Sequence, residues 1–104
     1  MTLDKININE LDSMIYVYFG PNYTDFEPGH EIEPKIEAWL SWAGKGNKYA
    51  LVDDIDLFLS ECEDVEEDFA ERYKGAFVPK LWGTTALEFL QLVRDRTVQS
   101  VKTL

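Results

Sequence analysis

The sequence predicts a single all-α domain of about five amphipathic helices, and three observations carry that reading. Apolar residues recur at i, i+3, i+4 and i+7 through five segments. Two Ser/Thr-x-x-Glu spacings, Ser60 to Glu63 and Thr85 to Glu88, stand where helices are expected to begin. The segments are joined by short links marked by Gly and Pro, and no pair of strands is announced by alternation. A chain of 104 residues, 45% hydrophobic and 13% aromatic, is near the commonest domain size and can bury a core without staples.

The first helix is expected from Asn7 to Phe19, on Ile8, Leu11, Met14, Ile15, Tyr18 and Phe19, with Asn7 or Asn9 as N-cap and Gly20-Pro21 as the stop. Ile15 to Phe19 is also rich in strand formers, so a short strand there stays open. Asn22 to His30 reads as a loop, its Tyr23 and Phe26 tucked against the core. A second helix follows on Ile32, Ile36, Trp39, Leu40 and Ala43, with Pro34 in its first turn and Gly44 at its end. Gly44-Lys45-Gly46-Asn47-Lys48 resembles a phosphate loop but lacks the Gly-Lys-Ser/Thr ending, and is expected to be a flexible connection.

The third helix is expected from Lys48 or Tyr49 through Leu59, and the fourth from about Glu61, capped by Ser60, to Tyr73 or Lys74 before Gly75. Ala76 to Gly83 is an apolar link around Pro79, with Phe77, Val78, Leu81 and Trp82 free to pack. Thr85 caps the last helix, whose face is Ala86, Phe89, Leu90, Val93 and Thr97, with Arg94, Arg96 and Lys102 toward its negative end. Trp39 and Trp82 are expected in the core, while Trp42 lies off the main stripe of its helix.

The densest feature is Asp53 to Glu71, which holds ten of the twenty acids and no Lys or Arg. Apolar spacing continues through it, so one face can bury while the other is a sheet of carboxylates. Pairs such as Glu63 with Glu67 repel by a few tenths of a kcal/mol. A solvated face is the common reading of such a run, and a binding surface is the sharper one. The outward acids Asp53, Asp56, Glu63, Glu66, Glu67 and Asp68 are the candidate partner-binding residues. A net charge of -10 argues against direct contact with nucleic acid or anionic membrane and in favour of a basic protein. No basic, apolar leader opens the chain, and the lone Cys62 suits a reducing compartment, so a cytoplasmic location is expected.

Catalytic chemistry finds little support. His30, three residues after Glu27, has a metal-motif spacing that Pro28-Gly29 breaks. Cys62 sits between Glu61 and Glu63, which disfavour a thiolate. Asp53, Asp54 and Asp56 fail as a calcium loop, because a loop starting at Asp54 would need Gly and Glu where Leu59 and Val65 stand. No metal, cofactor or enzymatic activity is expected.

Spaced aromatic, apolar and acidic positions carry a family resemblance: Tyr18-Phe19 before a loop with Asp25, Ile36 with Trp39-Leu40, Leu51 with Asp54-Ile55, and Phe58-Leu59. Glu66, Tyr73, Phe77 through Pro79, and Trp82-Gly83-Thr84-Thr85 leading into Phe89-Leu90 and Val93 complete it. In these positions the chain resembles the small cytoplasmic immunity proteins of bacterial contact-dependent growth inhibition systems. The resemblance implies a non-catalytic protein that binds the C-terminal toxin domain of a surface effector, in a one-to-one complex, and blocks it. Many such toxins are nucleases with basic clefts, which an acidic helical face complements. A nucleic-acid mimic directed at a DNA-binding protein, and a small regulatory adaptor, are the alternatives.

Overall fold

The computed structural model describes residues 8–20, 31–74 and 76–102. Five α-helices follow one another: α1 (Asn9–Tyr18), α2 (Ile32–Trp42), α3 (Lys45–Glu61), α4 (Val65–Arg72) and α5 (Ala86–Lys102), with a 3-10 turn at Pro79–Trp82 before the last. No strand occurs among the described residues, and Ile15 to Tyr18 are helical, so the all-α expectation holds and the strand alternative falls. The radius of gyration, 12.9 Å, is that of one globule of this length.

In α1, Leu11, Met14, Ile15 and Tyr18 are buried, as their spacing requires. Its start departs from expectation. Asn9 is the first helical residue rather than the cap, Ile8 takes the cap position without a side-chain bond, and Asn7 lies outside the described residues. The helix leaves through Gly20, where a Cβ would stand 2.5 Å from the Tyr16 carbonyl oxygen, so no larger residue fits. The expected loop from Asn22 to His30, with Tyr23, Phe26 and the histidine, also lies outside the described residues. In α2, Ile36, Trp39 and Leu40 face the core, and Pro34 occupies the first turn, where its missing N–H costs nothing.

Two helix boundaries, the starts of α3 and of α4, are corrected. Gly44 to Lys48 is not a flexible connection: Gly44 is the extended N-cap of α3, and the Lys48 N–H donates to its carbonyl at 3.0 Å. Tertiary contacts draw this segment into the helix against the cost of Gly46. Asn47 donates to the Glu10 carboxylate, and buried Lys48 extends its Nζ to Ser100 Oγ at 2.6 Å. Nor does Ser60 cap a helix beginning near Glu61. Its hydroxyl donates back to the Leu57 carbonyl inside α3, which runs on to Glu61. The corner falls at Cys62 to Asp64, and Asp64 caps α4 by accepting from the Glu67 N–H at 3.1 Å. A carboxylate is stabilised at a positive helix end in a way a hydroxyl is not, and Asp68 completes the corner by accepting from the Glu63 and Asp64 N–H groups.

Beyond α4, the 3-10 turn is closed by Gly83 in the left-handed region, at φ 76°. Phe77 is buried, whereas Val78 and Leu81 are exposed rather than packed. Thr85 does cap α5: its hydroxyl accepts from the Glu88 N–H at 3.1 Å and donates to the Glu88 carboxylate. The core centres on an aromatic cluster in which Phe77 meets Phe19, Phe89 and Phe69 at centroid distances of 5.0, 4.8 and 5.9 Å. Trp39 is buried, and Trp82 lies half-buried at the edge of the cluster, 5.3 Å from Phe19.

Candidate functional site

The ten acids of Asp53 to Glu71 divide into two groups of five. Asp53, Glu61, Glu63, Glu67 and Glu71 are exposed, and their carboxylates have no partner among the described residues. The other five hold the fold together. Asp54 receives the Glu10 and Leu11 N–H groups at 2.9 and 3.1 Å, capping α1 from α3. Asp56 forms a two-pronged ion pair with Arg94 of α5, at 2.7 and 3.2 Å. Asp64 and Asp68 build the corner before α4. Glu66 reaches α5, where its two oxygens accept from the Ala86 N–H at 2.8 Å and the Leu87 N–H at 3.1 Å. With Thr85 on Glu88, every N–H of the first three residues of α5 is satisfied.

Of the six candidate partner-binding acids, therefore, Asp53, Glu63 and Glu67 project without an internal role, while Asp56, Glu66 and Asp68 are committed to other elements. A carboxylate engaged in a cap or an ion pair still adds to the field of the whole protein, so all six contribute to the potential outside it. Asp54, which outward charge alone did not single out, is legible in retrospect. It completes i, i+3, i+4, i+7 with Leu51, Ile55 and Phe58, and an acid at a core-facing position implies a buried donor waiting for it. Partial burial raises its pKa above the ordinary aspartate value, opposed by the two backbone N–H bonds, while Glu10 and Asp12 add to the rise.

A second polar junction ties α4 to α1. Asp12 accepts from Arg72 Nε and Nη2 at 3.0 and 2.8 Å and from the Tyr73 hydroxyl at 2.7 Å. Those hydrogen bonds raise the Arg72 pKa, and burial pushes that of Tyr73 far above its ordinary value, so neither changes state near neutrality. Arg94 and Arg96, expected to complement the end of α5, instead bridge to neighbours: Arg94 to Asp56, and Arg96 to Glu33 and Glu37 of α2. Cys62 is half-buried, and burial, with Asp68 and Asp64 nearby, holds its thiol protonated.

The protein also displays apolar surface. An open groove of about 540 Å³ lies between α1 and α2, lined by Glu10, Ser13, Val17, Tyr18, Trp39 and Trp42. Trp42, off the stripe of its helix, is 58% exposed, and its indole N–H donates to the Tyr18 hydroxyl at 2.6 Å. Among the described residues no three His, Cys, Asp or Glu side chains are grouped as a metal ion requires. Among the described residues no helix is long and apolar enough to cross a membrane.

No curated protein and no solved structure gives a significant match. A family model described as CdiI immunity protein matches residues 7–97, from the start of α1 to the buried Thr97 of α5. The match covers α1 to α4 and α5 as far as Thr97, with the acidic segments and most of the junctions that hold them; the chain belongs to the CdiI immunity protein family and is an immunity protein of the contact-dependent growth inhibition type.

Proposed function

We propose that this immunity protein acts by binding rather than catalysis, and that its partner is a basic toxin domain, a nuclease, whose cleft it covers in a one-to-one complex. The observation that carries this reading is the division of the acids. After five have been consumed by caps and ion pairs, Asp53, Glu61, Glu63, Glu67 and Glu71 still project into solvent with no cation between Asp53 and Glu71 to neutralise them. Helix repulsion makes such a surface unfavourable to the isolated fold. It is favourable to a cationic partner, which it attracts over a distance of about 8 Å at physiological salt. Asp53, Glu63 and Glu67 supply contacts, whereas Asp56, Glu66 and Asp68 add to the field while holding α3, α4 and α5 in place.

The test is stopped-flow association with the purified C-terminal domain of the cognate surface effector, across several salt concentrations. Asp53→Asn, Glu63→Gln and Glu67→Gln combined should slow association and flatten its salt dependence without loss of fold. Coincident salt slopes for the wild type and the triple variant would reject the acidic face as the docking surface.

A further inference from the structure

The groove between α1 and α2 has the chemistry of a receptor for a basic side chain. Its walls are aromatic and aliphatic: Trp39 and Trp42 lie edge to face at 6.1 Å, and Val17 joins them in the lining. Trp42 leaves more than half of its surface in water, yet its one polar atom is already bonded to Tyr18. The exposed ring is thus held in place and makes no hydrogen-bond demand on whatever covers it, as at the anchor positions that dominate protein interfaces. A mobile indole would have to be ordered on binding; this one is ordered beforehand.

The electrostatics select a cation. The groove runs along α1 from Glu10 in its first turn to Tyr18 at its end, where α2 also ends at Trp42; the negative ends of two helix dipoles therefore border that end of the groove, and neither helix has a basic residue in its last turn. Glu10 adds a carboxylate to the lining, and among the described residues no Lys or Arg lines the groove. An aromatic ring face attracts a cation in its own right. α3 likewise has no basic residue in its last turn, whereas α4 and α5 carry Arg72 and Lys102 there. From this convergence the geometry points to the groove as the receptor for an arginine side chain of the toxin domain, its guanidinium stacked on Trp42 and directed at Glu10, its methylenes against Val17. Arginine is favoured over lysine because a planar, weakly hydrated cation stacks on an indole and still donates to a carboxylate. The inference rests on the toxin-binding reading and supplies a short-range anchor beside the long-range field of α3 and α4. α1 is flanked by both, since its Asp12 holds Arg72 of α4 while Val17 lines the groove.

Equilibrium binding of the effector's purified C-terminal domain tests it, with Trp42→Ala, Trp42→Phe, Glu10→Gln and Val17→Arg compared with wild type after denaturant melts establish that each variant folds. Trp42→Ala should weaken binding by about 30-fold or more, the size of an anchor truncation. Trp42→Phe should retain part of the affinity. Glu10→Gln, which preserves the acceptor used by Asn47, should weaken binding by about 3- to 10-fold, and Val17→Arg should weaken it more by placing a like charge in the groove. Wild-type affinity in Trp42→Ala and Glu10→Gln overturns the groove and leaves toxin binding standing. A loss in Trp42→Ala with none in Glu10→Gln or Val17→Arg overturns the cationic occupant. No binding of the wild type overturns both readings.

Discussion

Glu66 and Glu67 are adjacent, both acidic and both outward by helical periodicity, yet they should respond to truncation very differently. The Glu66 carboxylate satisfies the N–H groups of Ala86 and Leu87 at the start of α5, while Glu67 has no side-chain partner among the described residues. In Glu66→Ala, the Leu87 N–H is exposed and water replaces the lost acceptor at little cost. The Ala86 N–H belongs to a residue that is 1% exposed, and a buried donor left unpaired costs about 1 to 3 kcal/mol. Loss of a charge from a helix N-terminus adds about 0.3 to 1 kcal/mol. A cleft of about 290 Å³ lined by Glu66 and Ala86 admits water to the site and holds the total toward the lower part of that range, about 2 kcal/mol. For a domain of this size such a loss lowers Tm by roughly 8 to 16 °C. Glu67→Ala should stay within about 0.5 kcal/mol of wild type. Thr85→Ala removes the neighbouring cap on Glu88 and should cost about 1 kcal/mol. Because both caps serve one helix end, the double variant should depart from additivity. Urea unfolding followed by far-UV circular dichroism, with thermal melts in parallel, measures all four. Equal destabilisation by Glu66→Ala and Glu67→Ala would refute the division of the acids on which the functional reading depends.

Asp54 makes a pH prediction whose sign follows from its raised pKa. The folded state binds a proton at Asp54 more readily than the unfolded chain, so this group contributes stability that is fully present below the unfolded value of 3.8 and lost as pH rises through the higher folded value. Asp54→Asn keeps an acceptor for Glu10 and Leu11 without that penalty. Its stability relative to wild type should therefore improve as pH rises from 3.8 toward neutrality, whereas Asp54→Ala should lose about 1 to 2 kcal/mol of cap throughout. Denaturant midpoints between pH 3.5 and 7 check this, and a wild-type advantage over Asp54→Asn that grows with pH would contradict it. Trp39→Ala should cost about 3 to 5 kcal/mol, since Trp39 is 1% exposed, and Trp42→Ala should cost far less at 58% exposure. Comparable unfolding midpoints for these two variants would remove the distinction between core and anchor.

The sequence by itself determined the helices, the identity of most core residues, the Thr85 cap and the family, because each rests on local spacing. Leu51, Ile55 and Phe58, or Phe89, Leu90 and Val93, announce a buried face wherever their helix is placed. It also determined that Asp53 to Glu71 belongs to two helices joined by a corner and is unneutralised along its own length. What each carboxylate does was decided only by tertiary structure. Glu66 and Ala86 are twenty residues apart, Asp54 and Glu10 forty-four, and Arg72 and Asp12 sixty. Asp54 stands on the apolar stripe and betrays its role, but for Glu66 periodicity does not tell a carboxylate facing water from one facing the unpaired N–H groups of another helix, since both lie off that stripe. The same holds for the start of α3, where Gly44 to Lys48 has the composition of a turn and becomes helix because Asn47 and Lys48 find partners on α1 and α5. The groove follows the same logic. Trp42 reads as a misplaced core residue until the fold brings the ends of α1 and α2 together around it, because an aromatic ring is an anchor or a core element according to what stands opposite, and that is a property of packing alone.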